Sequence, residues 1–254
     1  MRAKSYGFGA VEVRGIQDTL RTDELPCFLP ENRVESRNLL RDTGIEICDV
    51  GTSVCFHDAA GIAGALEESY AALASCVAMG IRAIRVFGDV LSTGETRETV
   101  IRRVIDGIGR LCDFSEKYGG VLILLEIHGD FNTVEALAPI MEALGSHPCF
   151  GIIWDIEHSY RSYGEKYETF YELIRPAIRH VHVKDCVISG ENLAVKLPGE
   201  GAVNISDVVA RLERDGYEGY YSFEWEKRWC PEIEGPEIAF PHYVAFMTRV
   251  LEGL

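Results

Sequence analysis

The chain has 254 residues, of which 47% are hydrophobic, and its formal net charge is −15 at pH 7. This acidity excludes nucleic acid as a partner, because a phosphate backbone is bound by a clustered basic surface. No apolar run approaches the roughly 20 residues that cross a bilayer, and residues 1–4 lack the apolar core of a signal peptide. The eight cysteines include no Cys-x-x-Cys pair, so we expect reduced thiols. We therefore expect a cytoplasmic protein with no membrane partner, and a homo-oligomer is left open.

Short apolar runs alternate with longer segments of helical periodicity along the chain. In chain order, the predicted strands cover residues 10–14, 45–51, 84–87, 121–127, 151–155, 180–183 and 220–225. The predicted helices cover residues 30–43, 59–79, 96–118, 133–144, 166–178, 206–215 and 237–251. This alternation predicts an α/β fold with a parallel sheet of βα units, in a single domain spanning residues 1–254.

A closed barrel of the TIM type is the usual architecture for repeated βα units, and such barrels commonly have about 250 residues. A complete TIM barrel has eight strands, whereas seven are predicted here. Residues 1–7 have the pattern of a helix end that leads into the strand at residues 10–14. Three explanations are left open: the first strand is lacking, an exposed sheet edge is covered by another subunit, or the barrel closes with seven strands.

Four apolar runs in the second half of the chain end in side chains that bind metals. Because active sites of parallel α/β folds lie at the carboxyl ends of the strands, we expect these side chains to converge. Three carboxylates and one imidazole form a suitable site for a divalent cation, with room for substrate oxygens. The four residues are Glu126, Asp155, His182 and Glu224.

Four segments carry a family resemblance: LLEIHG at residues 124–129, DIEH at 155–158, HVHVKD at 180–185 and SFEWE at 222–226. In order and rough spacing they resemble the sugar phosphate isomerase/epimerase group of xylose isomerase-like TIM barrels. The resemblance covers most of the chain from Gly9 onward and departs from the family at the N-terminus, where the first strand is lacking.

The resemblance implies one divalent cation, Mn²⁺, Mg²⁺, Co²⁺ or Zn²⁺, held by the four residues at the strand ends. His180 and His182 lie on the same face of their strand, because strand side chains alternate. The second histidine matches the family ligand, while an exchange of roles with His180 stays open.

The implied activity is isomerisation or epimerisation of a sugar or a related polyol ketone. Such proton transfer needs a base and an electrophile that stabilises an enediolate, and a divalent cation supplies the electrophile. Our hypothesis is that Glu126 and Glu224 are metal ligands and also the acid/base pair.

Three other functions are weighed against this one. A dehydratase acting on an inosose or on dehydroshikimate would begin with the same proton abstraction. A non-catalytic sugar-binding or interaction subunit is the second alternative. A metal-dependent AP-endonuclease normally has more metal ligands, and this acidic chain lacks an evident DNA-binding surface.

Three residues beyond the ligands are candidates for binding substrate at the ends of strands. Arg14 is suited to a carboxylate or phosphate, or else to a structural ion pair. His128 and His158 follow their strands closely, and the alternative for His158 is a histidine in a surface loop. We expect specificity to depend on the loops at residues 15–29, 88–95, 158–165 and 184–201.

Lys184 and Glu226 complete the candidate substrate-binding set. Lys184 either stabilises an enediolate oxygen or pairs with Asp185. Glu226 competes with Glu224 for the ligand position, because period-two alternation places both on one strand face. We prefer Glu224 as the ligand because it lies nearer the end of the apolar run.

Overall fold

The computed structural model describes residues 2–91, 94–190 and 192–254. Its strands are β1 (Ala10–Val13), β2 (Glu46–Cys55), β3 (Ala83–Phe87), β4 (Leu122–Glu126), β5 (Phe150–Asp155), β6 (Ile178–Val183), β7 (Asp185–Ser189), β8 (Asn192–Lys196) and β9 (Tyr220–Phe223). Its helices are α1 (Arg2–Tyr6), α2 (Arg33–Thr43), α3 (Ile62–Met79), α4 (Arg97–Tyr118), α5 (Val134–Leu144), α6 (Ile156–Tyr163), α7 (Glu168–Ile174), α8 (Ile205–Arg214) and α9 (Pro236–Glu252).

Seven strands form one parallel sheet in the order β1-β2-β3-β4-β5-β6-β9. The sheet curves into a nearly closed barrel with helices around it, so the predicted TIM-type fold with seven strands is confirmed. The edge strands β1 and β9 flank a cavity of about 310 Å³. Within the described residues, no helix has the length and apolar character needed to span a membrane.

Side chains bridge the two edges of the barrel where backbone pairing stops. The phenol of Tyr220 on β9 donates a hydrogen bond of 2.9 Å to Oε2 of Glu46 on β2. On α9, the ring of Tyr243 stacks on Phe8 and on Phe223, with centroid distances of 5.8 and 4.5 Å. Aromatic packing therefore covers part of the opening between the edge strands.

Two elements differ from the predicted organisation. The loop predicted at residues 184–201 contains an antiparallel hairpin of β7 and β8. The apolar side chains Val187, Ile188 and Leu193 of this hairpin are exposed. The hairpin therefore lacks the buried apolar run that is typical of the barrel strands. Residue 191 in this loop and residues 92–93 in the predicted loop at 88–95 lie outside the described residues.

The prediction of a loop at residues 158–165 is wrong, because most of these residues belong to helix α6. The helix begins directly after β5, with Asp155 as its N-cap: the Asp155 side chain accepts hydrogen bonds from the backbone N–H groups of Glu157 and His158. The predicted helix at residues 166–178 is shorter in the structure, where α7 ends at Ile174 and β6 begins at Ile178.

Helix α4 packs against the barrel through one apolar face. Val100, Val104, Ile108 and Leu111 are fully buried at the spacing of one side of a helix. Gly107 lies on the same face, and a Cβ atom there would come within 2.3 Å of the ring of Phe56. Gly109 on the same helix has room, since the nearest atom to its Cβ position, on Leu144, is 3.6 Å away.

We expect Gly107→Ala to lower the free energy of unfolding by about 1–3 kcal/mol, because the new methyl group would overpack against Phe56. The matched variant Gly109→Ala should raise it by ~0.5–1 kcal/mol, since alanine restricts the unfolded chain and favours the helix. Urea denaturation followed by circular dichroism measures both values. Equal effects of the two variants would contradict the packing argument.

Candidate functional site

The four predicted metal ligands converge at the carboxyl ends of adjacent strands. Glu126 and Asp155 are the last residues of β4 and β5, His182 is on β6, and Glu224 directly follows β9. The β5–β6 register pairs Asp155 with His182. One candidate ligand atom from each of the four residues lies within 4.8 Å of the other three.

Each of these four side chains has one buried atom without a hydrogen-bond partner. The imidazole Nδ1 of His182 lies 3.2 Å from Glu224 Oε2 and 3.4 Å from Glu126 Oε1; both contacts are ion pairs that lack hydrogen-bond geometry. Buried polar atoms are costly unless they are paired. Three oxygens and one nitrogen directed at one point fit a divalent cation. The atoms without a hydrogen-bond partner are Glu126 Oε2, Asp155 Oδ2, His182 Nδ1 and Glu224 Oε2; the three oxygens make ion pairs with Arg85 or Lys184.

Glu12 on the edge strand β1 fixes the orientation of His182. The Nε2 atom of His182 lies 3.0 Å from Glu12 Oε2, and Nε2 of His180 lies 2.6 Å from Glu12 Oε1. His182 therefore bonds Glu12 through one ring nitrogen and presents the other to the three carboxylates. His180 also bonds Glu12, but it is not among the four residues that converge. This geometry favours His182 over His180 as the ligand.

The charges around His182 set its protonation. Burial alone would lower its pKa, but the carboxylates of Glu12, Glu224 and Glu126 raise the pKa of His182 well above its ordinary value. A proton and a metal cation therefore compete for the same Nδ1 atom, as is usual for a histidine ligand.

Two buried cations, Arg85 and Lys184, accompany the carboxylates. The guanidinium of Arg85 on β3 lies 3.1 Å from Glu126 Oε2. The Nζ atom of Lys184 lies 2.8 Å from Asp155 Oδ2 and 2.9 Å from Glu224 Oε2. Their positive charge offsets part of the negative charge of the cluster.

Lys184 points into the site and does not pair with Asp185. The Asp185 carboxylate instead accepts hydrogen bonds of 2.8 to 3.1 Å from four backbone N–H groups. Asp185 thereby anchors the segment after β8 next to the barrel. These four donors belong to Cys186, Gly199, Gly201 and Val203.

The local charges keep two of the carboxylates ionised. Burial alone would raise the pKa of Glu224, but His182 and Lys184 hold it well below the usual range. Burial likewise opposes ionisation of Glu126, and the adjacent Arg85 lowers the pKa of that group. For Asp155, burial dominates and raises the pKa, although Lys184 acts in the opposite direction.

His128 and His158 form a pair beside the cluster, with ring centroids 4.5 Å apart. His158 lies in the first turn of α6 and is buried, so it is not in a surface loop. Burial, followed by the charge of Lys184, lowers the pKa of His158 to about 3. A neutral imidazole at this point both donates and accepts hydrogen bonds, as a bound hydroxyl group requires.

Arg14 and Glu226 lie outside the four-ligand group. Arg14 lines the cavity between β1 and β9, as do Glu12, Arg85 and Glu224. Its guanidinium donates to the Ser53 hydroxyl at 2.9 Å, and no ion pair of Arg14 is found within the described residues. Glu226 approaches Lys184 only at 4.0 Å and is half-buried.

Sequence reasoning missed Arg85 and Asp49 as parts of the site and left Glu12 without a role. Both carboxylate oxygens of Asp49 are buried without a hydrogen-bond partner, and burial, followed by the charge of Glu12, raises its pKa to about 7. One signal in the sequence was Arg85, the charged residue inside the otherwise apolar segment Ala83–Phe87. A charged side chain in such a strand is rarely buried without a partner, so it indicates a buried acid nearby.

A family model described as xylose isomerase-like TIM barrel matches residues 1–247. The chain belongs to this family. The superfamily consists mostly of enzymes, among them isomerases, epimerases and dehydratases.

Individual relatives include proteins with different reactions. The inosose dehydratase of Geobacillus thermodenitrificans (strain NG80-2) is 28% identical over 162 residues, which is 58% of this chain and 51% of that protein. The chain thus matches about half the length of this curated relative.

Two solved structures share the fold. The crystal structure of IOLI protein with a bound zinc atom has a TM-score of 0.78 at 18% identity, covering 99% of this chain and 91% of the other. The apo 3-keto-D-glucoside 4-epimerase YcjR from E. coli has a TM-score of 0.74 at 17% identity, covering 97% and 91% of the two chains.

We expect Glu12→Gln to weaken the binding of Mn²⁺ or Zn²⁺ by roughly 10- to 100-fold, the usual effect of losing the carboxylate that orients a histidine ligand. Glu46→Gln is the matched control, because Glu46 is exposed and bonds Tyr220 instead. Isothermal titration calorimetry of the metal-free protein measures the affinity, and thermal unfolding checks the fold. Unchanged affinity in a folded Glu12→Gln variant would contradict the assigned role.

Proposed function

We propose that the protein is a divalent-metal-dependent isomerase or epimerase of a sugar or related polyol ketone. The observation that carries the proposal is the convergence of one imidazole and three carboxylates, each with a buried atom that lacks a hydrogen-bond partner. Their donor set suits Mn²⁺, Mg²⁺, Co²⁺ or Zn²⁺. A cation held by Glu126, Asp155, His182 and Glu224 would supply positive charge where negative charge develops on the substrate oxygens.

Glu224 and Glu126 are the proposed proton-transfer groups. Both have lowered pKa values, so each is ionised at neutral pH and can accept a proton. They belong to strands on different sides of β6 in the sheet order, which suits two groups that face opposite sides of one carbon. Proton return to the same carbon gives epimerisation, and return to the neighbouring carbon gives isomerisation.

Lys184 is the proposed electrophile beside Glu224. Its ammonium group is buried, and the pKa of Lys184 is raised well above its ordinary value by Asp155 and Glu224, against the effect of burial. It therefore stays charged and donates hydrogen bonds to any oxygen that approaches Glu224. A fixed positive charge at this position would stabilise an enediolate oxygen.

The residues proposed to bind the rest of the substrate lie on two sides of the ligand group. His128 and the neutral imidazole of His158 lie together on one side. Arg14 provides a positive charge for a carboxylate or phosphate group. Glu226 provides a negative charge that accepts hydrogen bonds from hydroxyl groups. Trp225, which lines the cavity between β1 and β9, supplies an aromatic surface of the kind on which sugar rings stack.

A dehydratase is the second candidate, and the 28% identical inosose dehydratase favours it. Dehydration of a β-hydroxy ketone starts with the same proton abstraction beside the carbonyl. The two reactions differ only after this step. In dehydration the hydroxyl group on the next carbon leaves, whereas in isomerisation or epimerisation a proton returns to carbon. A proton donor near that hydroxyl would favour dehydration.

We expect Glu224→Gln to lower kcat by about 10²- to 10⁴-fold, the usual contribution of a proton-transfer group. Glu226→Gln is the matched control two residues further along, and it should act mainly through KM, since Glu226 lies outside the ligand group. Initial rates with the metal-loaded proteins measure both effects. A Glu224→Gln variant with the turnover of the unmodified enzyme would remove Glu224 from the chemistry.

The reaction class is tested by incubating the metal-loaded protein in D₂O with a panel of ketoses, inososes and 3-dehydroshikimate. An isomerase or epimerase should incorporate deuterium at carbon and give a product of unchanged composition by NMR. A dehydratase should give a conjugated product with new ultraviolet absorption. Substrate binding without deuterium exchange or product would overturn the enzymatic proposal in favour of a sugar-binding subunit.

A further inference from the structure

A second group of metal-binding side chains lies at the carboxyl ends of β2 and β3. It consists of Cys55, the last residue of β2, together with His57 and Asp89 in the segments that follow β2 and β3. The sheet register pairs Cys55 with Phe87. His57 and Asp89 each lie two residues beyond that pair, in the segments that leave the sheet at this end.

The three side chains are close enough to share one ion. A ligand atom from each lies within 4.8 Å of the other two, and Nδ1 of His57 is 3.6 Å from Oδ2 of Asp89. That Nδ1 atom is buried and has no hydrogen-bond partner. A polar atom in this state indicates an interaction that the protein chain itself does not provide.

The backbone holds both loops of this group in defined positions. Asp89 has a φ of 67°, a left-handed conformation that is unusual outside glycine. Its carbonyl oxygen accepts a hydrogen bond of 2.9 Å from the backbone N–H of Asp130. On the other loop, the guanidinium of Arg103 donates to the carbonyl oxygen of His57. Strained conformations that the surrounding structure maintains are concentrated at functional sites.

The local charge favours a cation. The carboxylates of Asp89, Glu68 and Asp58 act on the Cys55 side chain. Their negative charge attracts a divalent ion, and binding of that ion by Cys55 would release the thiol proton to solvent.

We propose that Cys55, His57 and Asp89 bind a second divalent cation, of the zinc type, at the mouth of the barrel. A thiolate, an imidazole and a carboxylate are the ligand types that zinc prefers, and three protein ligands leave one tetrahedral position for water or a substrate atom. The four-ligand centre contains no sulfur, so the two sites differ in ligand chemistry. This inference does not depend on the proposed isomerase activity.

Cobalt distinguishes the two sites, because Co²⁺ bound to a thiolate gives an intense charge-transfer absorption that oxygen and nitrogen ligands do not give. We expect this absorption when the reduced, metal-free protein is titrated with Co²⁺. Cys55→Ser should abolish it. Asp89→Asn should weaken Co²⁺ binding at this site while keeping the backbone, because asparagine tolerates the left-handed conformation.

Two controls separate this site from the four-ligand centre and from other thiols. Glu224→Gln should leave the thiolate absorption unchanged, and so should Cys230→Ser, which alters another half-buried cysteine. Elemental analysis after zinc loading should find one zinc ion fewer per chain in Cys55→Ser than in the unmodified protein. Absence of the thiolate absorption in the unmodified protein, or its persistence in Cys55→Ser, would overturn the proposal.

Discussion

The excess of buried carboxylates inside the barrel is the constraint on which the rest of the site depends. Two further acids, the buried Asp49 and the half-buried Glu12, accompany the three acids of the proposed metal site, against the permanent cations Arg85 and Lys184. An isolated buried charge is strongly unfavourable. The protein therefore needs additional positive charge here, either as protons on His182 and Asp49 or as a metal cation. The electrostatic requirement and the convergence of the four side chains thus lead to the same point.

Glu12 connects this electrostatic cluster to the architecture of the barrel. It lies on β1, at one edge of the sheet. Its bonds to His180 and His182 cross the opening of the barrel to β6, which pairs with the other edge strand, β9. A partly buried interaction of an ionised carboxylate with two imidazoles is charge-assisted and therefore strong. It holds β1 against the half of the barrel that carries the proposed metal ligands, where no backbone pairing joins β1 to β9. The open edge and the histidine ligand are consequently stabilised by the same carboxylate.

The fold and the proposed ligand positions could be predicted from the sequence because they depend on local patterns. Each ligand ends an apolar run, and parallel strands bring such ends together whatever their exact tilt. The roles of Arg85 and Asp49 could not be predicted, since a charge within an apolar strand does not identify its partner on a distant strand. Helix α6 was missed for another reason: it follows β5 without a loop, so Asp155 serves as both strand end and helix cap.

The double use of Asp155 limits how the site can adapt to different substrates. Its Oδ1 atom accepts two backbone N–H groups of α6, at 2.9 and 3.0 Å, which leaves Oδ2 for Lys184 and the proposed cation. Moving this carboxylate would therefore uncap α6 and displace His158. At the edge cavity, Arg14 and Trp225 hydrogen-bond to the Ser53 hydroxyl and to the carbonyl oxygen of Glu234 rather than to a proposed ligand. Changes of specificity are thus easier to accommodate at the open edge of the barrel than at the β5–α6 junction.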